Sequence, residues 1–303
     1  MTCGNQSLAY DPAMTRFIFL TDTHLGARND AGYRQQPRYV DRLPILLDRL
    51  EIWIRAQEKP VAFVLHGGDM VESASPELLQ AAAETFRLSV PVYLSLGNHD
   101  LTTSDALRRW LSVAPQFFSD GDPVFTLSGE DWRVHVVPSQ WCEVPFFWDE
   151  VQQPHLLPEH RAWLEAALVA EPGIAHLLCT HAATLGVPPA QTGFDAPYHA
   201  PSPDLRNTIV DLVHRYPQIK GVLGGHNHIN THGTIAQTHT ITASAFSETP
   251  FEFKLIEVSR DRFTMRTLAL LPAVRFGVDY RWDKTFVQGR ACDRGFGELE
   301  TES

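Results

Sequence analysis

Along the chain, short runs of consecutive apolar residues alternate with longer stretches in which apolar positions recur at helical spacing. The first run, Phe17 to Leu20, precedes an amphipathic stretch from Tyr39 to Gln57. Val61 to Leu65 comes next, then a helix opened by Pro76 and reaching Arg87, with proline in the first-turn position it tolerates. Val90 to Leu96 is the third run, and Ser104 stands where it would cap a short helix through Leu111. Val124 to Leu127 and Trp132 to Val137 flank Ser-Gly-Glu-Asp and predict a hairpin. An aromatic, proline-bearing loop spans Ser139 to Pro158. Helical spacing returns at Glu159 to Ala170 and Asp204 to Arg215, with apolar runs after them at Ile174 to Cys179 and Ile219 to Leu223. Three further β-rich runs complete the pattern: Thr238 to Ala243, Phe251 to Val258 and Arg262 to Leu270. This alternation predicts an α/β layered fold. Residues 1–13 are polar and patternless, which predicts a disordered tail or a mis-assigned start. Residues 14–270 are expected to form one domain, and 271–303 an extension that wraps its surface.

The residues that carry chemistry stand directly after the apolar runs. Phe17–Leu20 leads into Asp22-Thr-His24, Val61–Leu65 into Gly68-Asp69, and Val90–Leu96 into Gly97-Asn98-His99-Asp100. Ile174–Cys179 leads into His181, and Ile219–Leu223 into Gly225-His226-Asn-His228. Open α/β sheets place their sites at the carboxyl ends of strands, so parallel strands would gather these side chains along one edge. Carboxylate, imidazole and amide oxygen suit borderline or hard divalent metals, and the absence of cysteine argues against a structural zinc site. The glycines before Asp69, Asn98 and His226 permit tight turns that bring backbone close to a metal. Each motif alone is weak, since Asp and Asn favour turns anyway. All five in order, each directly after a strand, is a strong signal.

The series resembles the calcineurin-like metallophosphoesterases over residues 16–270, and its complete Gly-Asn-His-Asp box is most similar to the bacterial branch of class III cyclic-nucleotide phosphodiesterases and glycerophosphodiesterases. That resemblance implies a four-layer sandwich, two mixed β-sheets flanked by helices. It implies one metal bound by Asp22, His24 and His228, a second by Asn98, His181 and His226, and Asp69 bridging them. Manganese or iron is the expected metal, with zinc next. Two metals about 3.5–4 Å apart clamp the attacking and leaving oxygens of an in-line displacement, and a bridging hydroxide is the implied nucleophile. Two divalent ions, two carboxylates and that hydroxide leave the site at roughly +1, suited to a phosphodiester monoanion. By the same resemblance His99 acts on the phosphate or the leaving group, and Asp100 orients its imidazole. Two departures, Ala182-Ala183 after His181 in place of His-Pro and the segment 129–158, bear on the substrate rather than on the metals.

Further residues are candidates for the pocket. Arg28, Tyr33, Arg34 and Arg38 come after the first motif and are weighed as phosphate contacts against a solvated loop. His199 sits on a loop between two motifs, and Trp141, Phe146, Phe147 and Trp148 form a cluster suited to stacking or to packing. His66 reads as a core histidine.

Bulk properties narrow the partners. The chain has 303 residues, 44% hydrophobic and 20% charged, enough for one large domain with a sizeable core. A formal net charge of −11 argues against a nuclease or other nucleic-acid binder. Cys3, Cys142, Cys179 and Cys292 are scattered, as expected of structural thiols in a reducing compartment. There is no long apolar run for a membrane span and no signal-peptide pattern, so the expectation is cytoplasmic. The expected function is hydrolysis of a small-molecule phosphodiester. Monoester or nucleotide-conjugate hydrolysis and a silent scaffold are the alternatives, and a homo-oligomer is left open.

Overall fold

In the computed structural model, which describes residues 14–30 and 32–297, Phe17, Ile18, Phe19 and Leu20 are all fully buried in the first strand, β1 (Thr15–Leu20). The expectation for residues 1–13 lies outside the described residues. A strand buried on both faces reads as a continuous apolar run, which is why it is visible in the sequence.

After β1 the chain makes a 3₁₀ turn at Val40–Arg42 and then α1 (Leu43–Arg55), which starts later than the periodicity predicts. Pro44 lies in its first turn, where a missing N–H costs nothing. Its buried stripe is Leu43, Leu46, Leu47, Leu50 and Ile54. β2 (Val64–His66) and β3 (Val92–Leu94) are each shorter than their apolar runs, and α2 (Pro76–Thr85) lies between them. Ser75, not assigned from sequence, caps α2 by accepting from the Leu78 N–H at 3.3 Å. α3 (Ala106–Val113) comes after Asp105 rather than a Ser104 cap.

The second half supplies β4 (Phe125–Ser128), β5 (Trp132–Val136), α4 (Pro158–Ala170), β6 (Ala175–Cys179), the short α5 (Pro189–Thr192), α6 (Pro203–Arg215) and β7 (Ile219–Gly224). Then come β8 (Thr231–Ile235), β9 (Thr238–Thr242), β10 (Glu252–Val258), β11 (Phe263–Ala269) and a short β12 (Gly295–Phe296). β8 was not anticipated, because it is a half-exposed edge strand with little apolar content.

Two mixed six-stranded sheets result, ordered β12-β11-β10-β1-β2-β3 and β4-β5-β6-β7-β9-β8. β1, β2 and β3 run parallel in the first, and β5, β6, β7 and β9 in the second. The predicted hairpin is the antiparallel pair β4 and β5. The sheets face one another across their width. Phe63 stacks on Phe17 at 4.7 Å and also meets Trp132, whose indole N–H donates to Thr15 Oγ1 at 2.9 Å. At the other end Phe296 stacks on His239 at 4.0 Å. The five motif-bearing strands are therefore divided, three in one sheet and two in the other, and do not share the single edge expected of them. Two mixed sheets packed face to face are the architecture that the resemblance implies.

One buried pair responds to acid. His135 Nε2 and His176 Nδ1 lie 2.8 Å apart in stacked rings, and His135 Nδ1 is 2.9 Å from Thr126 Oγ1. Burial, reinforced by His176 and Arg133, pushes the His135 imidazole down to about 3. Above pH 6.5 neither the folded nor the unfolded chain protonates this ring. Below it, the unfolded chain takes up a proton that the folded one refuses, so stability falls with falling pH until about 3. Denaturant titrations between pH 7 and 4 should show wild type losing up to about 1.4 kcal/mol per pH unit more than His135→Gln. Parallel curves would refute the assignment.

Candidate metal centre

The loops after β1 and β2 run as a pair, with Asp22 N donating to the Gly68 carbonyl at 2.9 Å and His24 N to the Asp69 carbonyl at 3.0 Å. Asp22, His24, Asp69, His226 and His228 all have left-handed backbone, with φ from 47° to 69°. Such conformations cost L-residues energy, are least unfavourable for Asp, Asn and His, and collect at functional sites. Two glycines make room. A Cβ on Gly68, at φ 109°, would strike the His181 ring, and one on Gly97 would strike the Asp69 side chain.

The side chains converge in two groups across the sandwich. Asp22, His24 and His228 offer atoms within 4.8 Å of one another, and so do Asp69, His181 and His226. His228 Nε2 is 3.3 Å from Asp22 Oδ1, and His181 Nε2 is 3.2 Å from Asp69 Oδ2. Asp69 Oδ2 also stands 3.8 Å from His24 Nε2, between the groups. Asn98 Oδ1 lies 3.0 Å from His226 Nδ1. Thus the seven residues singled out as ligands, delivered by both sheets, face one small volume.

Their outward nitrogens fix which atoms point inward. His24 Nδ1 is 2.9 Å from Glu72 Oε2, His228 Nδ1 is 2.8 Å from Glu248 Oε1, and His181 Nδ1 is 2.8 Å from the Gly67 carbonyl. An imidazole that donates from Nδ1 to a carboxylate or carbonyl presents Nε2 as a lone pair, the arrangement of metal-binding histidines. His24 and His228 bring their Nε2 atoms to 3.1 Å, and the buried His181 Nε2 faces the Asp69 carboxylate without hydrogen-bond geometry. Lone pairs and carboxylates crowded together call for cations, so these residues fit a pair of metal ions.

The electrostatics agree. Burial opposes charge on His228, yet Glu248 and Asp22 push it up to about 10. Burial likewise opposes charge on His181, and Asp69 raises it to about 9. Asp69 is held well below the usual carboxylate range by His181 and His99 despite its burial. Burial pushes His24 down and His226 down to about 3, so positive charge is in demand at His181 and His228, where protons and metal ions compete for it.

A family model for calcineurin-like phosphoesterases matches residues 15–230. The chain belongs to that family. A search of curated proteins finds no match to it. Among solved structures this phosphoesterase is similar to a dimetal phosphatase from Danio rerio, at 17% identity and TM-score 0.61 over 86% of this chain and 99% of that one. It is similar to GAP50 of Plasmodium, described as an anchor in the inner membrane complex, at 11% identity and TM-score 0.58 over 89% and 91% of the chains. A purple acid phosphatase from yellow lupin aligns at 10% identity and TM-score 0.58, over 95% of this chain and 57% of that one. At these identities the structures speak for the fold alone.

Around the centre, some expected residues arrive and others do not. His99 donates its backbone N–H to Asp69 Oδ1 at 2.8 Å, and its ring lies 4.8 Å from both His24 and Trp148. Asp100 does not orient it. The turn at His99–Leu101 directs the buried Asp100 carboxylate back to the Val71 and Gly97 N–H groups, at 3.1 and 2.9 Å. The Glu72 carbonyl holds His99 Nδ1 instead, at 3.1 Å. Burial and Asp69 push Asp100 up to about 7. His199 does return to the centre, its ring 6.1 Å from His226 and 5.2 Å from Tyr33, which in turn lies 5.0 Å from His228. Trp141 packs 4.8 Å from His226, and Phe146 packs on His160. Arg28 pairs with Asp30 at 3.0 Å in the open, and Arg34 donates to the Asn29 carbonyl. Arg38 is buried 3.7 Å from Glu248. His66 is the core histidine expected, 3.0 Å from Thr23 Oγ1.

Glu72 and Glu248 were missed. Glu72 could have been found three residues after Asp69, but Glu248 sits in a loop with no local signal.

Among the described residues no helix is long and apolar enough to cross a membrane.

Replacing Asp69 by Asn removes the carboxylate lying between the two groups. Elemental analysis should show loss of bound metal together with loss of turnover. Full occupancy with intact activity would remove Asp69 from the centre. Glu248→Gln should weaken metal binding by about 10–100-fold in a calorimetric titration, because the amide no longer enforces the His228 tautomer.

Proposed function

We propose that this phosphoesterase hydrolyses small organic phosphodiesters. In this reading Asp22, His24 and His228 hold one metal ion, Asn98, His181 and His226 a second, and Asp69 serves both. Oxygen and nitrogen donors without thiolate suit manganese, iron or zinc, and the family resemblance puts manganese or iron first. When bound, the metals supply Lewis acidity toward the phosphoryl oxygens and an activated water as nucleophile.

The observation that carries the diester reading is the lining of the centre. Rings stand on both flanks: His99 packs beside His24 with Trp148 on its far side, and Tyr33 packs beside His228 and against His199. The three candidate guanidiniums are engaged with Asp30, Asn29 and Glu248. A monoester dianion calls for added cationic groups, whereas a diester carries one charge and two organic arms that rings can hold.

The protein's own part is then positional. The Asp69 carboxylate fixes the His99 backbone, and the Glu72 carbonyl takes Nδ1. In the imidazolium form Nε2 also carries a proton and is left to pass it to the departing oxygen. Trp148, anchored through its indole N–H to the Val151 carbonyl at 3.1 Å, offers a face to the leaving group.

Bis(p-nitrophenyl) phosphate should be turned over with higher kcat/KM than p-nitrophenyl phosphate, and Trp148→Ala should raise the diester KM. A clear monoester preference would overturn the diester reading and leave the metal assignment standing. His99→Ala should lower kcat by about 10²–10⁴ with metal content unchanged. Loss of one equivalent of metal in that variant would move His99 into the ligand shell.

A further inference from the structure

The family-matched region ends at residue 230, yet the chain beyond it returns to one flank of the metal centre. A 3₁₀ segment at Trp282–Gln288 lies against the loop after the first motif. Gln36 Nε2 donates to the Arg281 and Lys284 carbonyls at 3.2 and 2.9 Å, and Arg281 N donates back to Gln36 Oε1 at 2.9 Å. Lys284 Nζ donates to Gln35 Oε1 at 2.8 Å. The amide of Gln35 in turn donates to the Tyr33 hydroxyl and, at 3.4 Å, to that of Tyr198.

The same segment reaches the loop that carries His199. Val287 is buried with Val187 and Ile229 in a small separate core, against which Tyr198 and Phe286 pack. Gln191 Nε2 donates to the Phe286 and Asn230 carbonyls, both at 2.8 Å, and Asn230 N donates to the Val287 carbonyl at 2.9 Å. Asn230 lies two residues past His228. Three elements that make one wall of the centre therefore share a single brace: the loop of Tyr33, the loop of Tyr198 and His199, and the turn after His228.

We propose that this C-terminal segment is a specificity element, and that Lys284 positions the Tyr33–Tyr198–His199 wall through Gln35. The wall holds the organic arm of the ester on the His228 side, a step that rests on the diester reading. A long flexible Lys that donates to Gln35, with its carbonyl held by Gln36, fixes the loop of Tyr33 and reaches the loop of Tyr198 through the Gln35 amide, without touching the reacting atoms. Its loss loosens the wall and leaves the metals in place.

The test compares wild type, Lys284→Ala, Lys284→Arg and the control Trp282→Ala, whose side chain is 81% exposed. With bis(p-nitrophenyl) phosphate, Lys284→Ala should raise KM about three- to tenfold, with kcat within about twofold and metal content unchanged. Lys284→Arg keeps a donor and should restore most of the loss, and Trp282→Ala should match wild type. An unchanged KM, or kcat and metal content falling together, would overturn the inference. Hydrogen exchange reads the brace without turnover. Amides of residues 33–38 and 187–199 should exchange faster in Lys284→Ala, and those of 99–101 should not. Unaltered exchange in both loops would overturn the inference. A wild-type preference for the monoester would overturn the diester reading alone, since the exchange result and the KM shift with that monoester still decide on the brace.

Discussion

Carboxylates and imidazole lone pairs that face one another in a protein interior are tolerable only if positive charge sits among them. Asp22 and Asp69 are buried at the centre, with Glu248 buried and Glu72 half-buried behind the histidines. Arg38 offsets part of this on the Glu248 side. The protein alone answers with protons, which is why His181 and His228 are pushed up rather than down. Metal ions answer better, and binding them adds stability to the fold that presents them.

The backbone bears a cost for this convergence. Left-handed residues at five of the seven candidate ligand positions persist because the strands before them are almost wholly buried and hold the chain in place. Rigid strand ends, rather than long loops, place Asp22, Asp69, Asn98, His181 and the His226–His228 turn. That precision matters, since a ligand displaced by a fraction of an ångström no longer shares a cation with its neighbours.

What surrounds the centre is less uniform. One flank carries His99 and Trp148, the other Tyr33 and His199, and the second is built by loops from three distant parts of the chain. The solved structures of similar fold include phosphatases and a protein described as an anchor, so the sandwich by itself does not name a reaction. In the proposed reading, chemistry resides in the candidate ligands and selectivity in the walls around them.

Residue order alone determined a good deal. The apolar runs before each motif marked the central strands, because strands buried on both faces cannot disguise themselves with polar residues. The five motifs named all seven inward-facing ligand candidates, because an Asp, Asn or His directly after such a strand has few other places to point. The edge strand β8 and the Ser75 cap were not legible, since both depend on contacts made after collapse. Nor was the division of the motif strands between two sheets, which pairing decides and periodicity does not. Glu248 reaches His228 from 20 residues away, and Lys284 reaches Gln35 from 249. Asp100 turned from its expected partner because two buried backbone N–H groups needed its carboxylate more. Local pattern records what a strand must bury. Only the folded chain decides which distant groups satisfy one another.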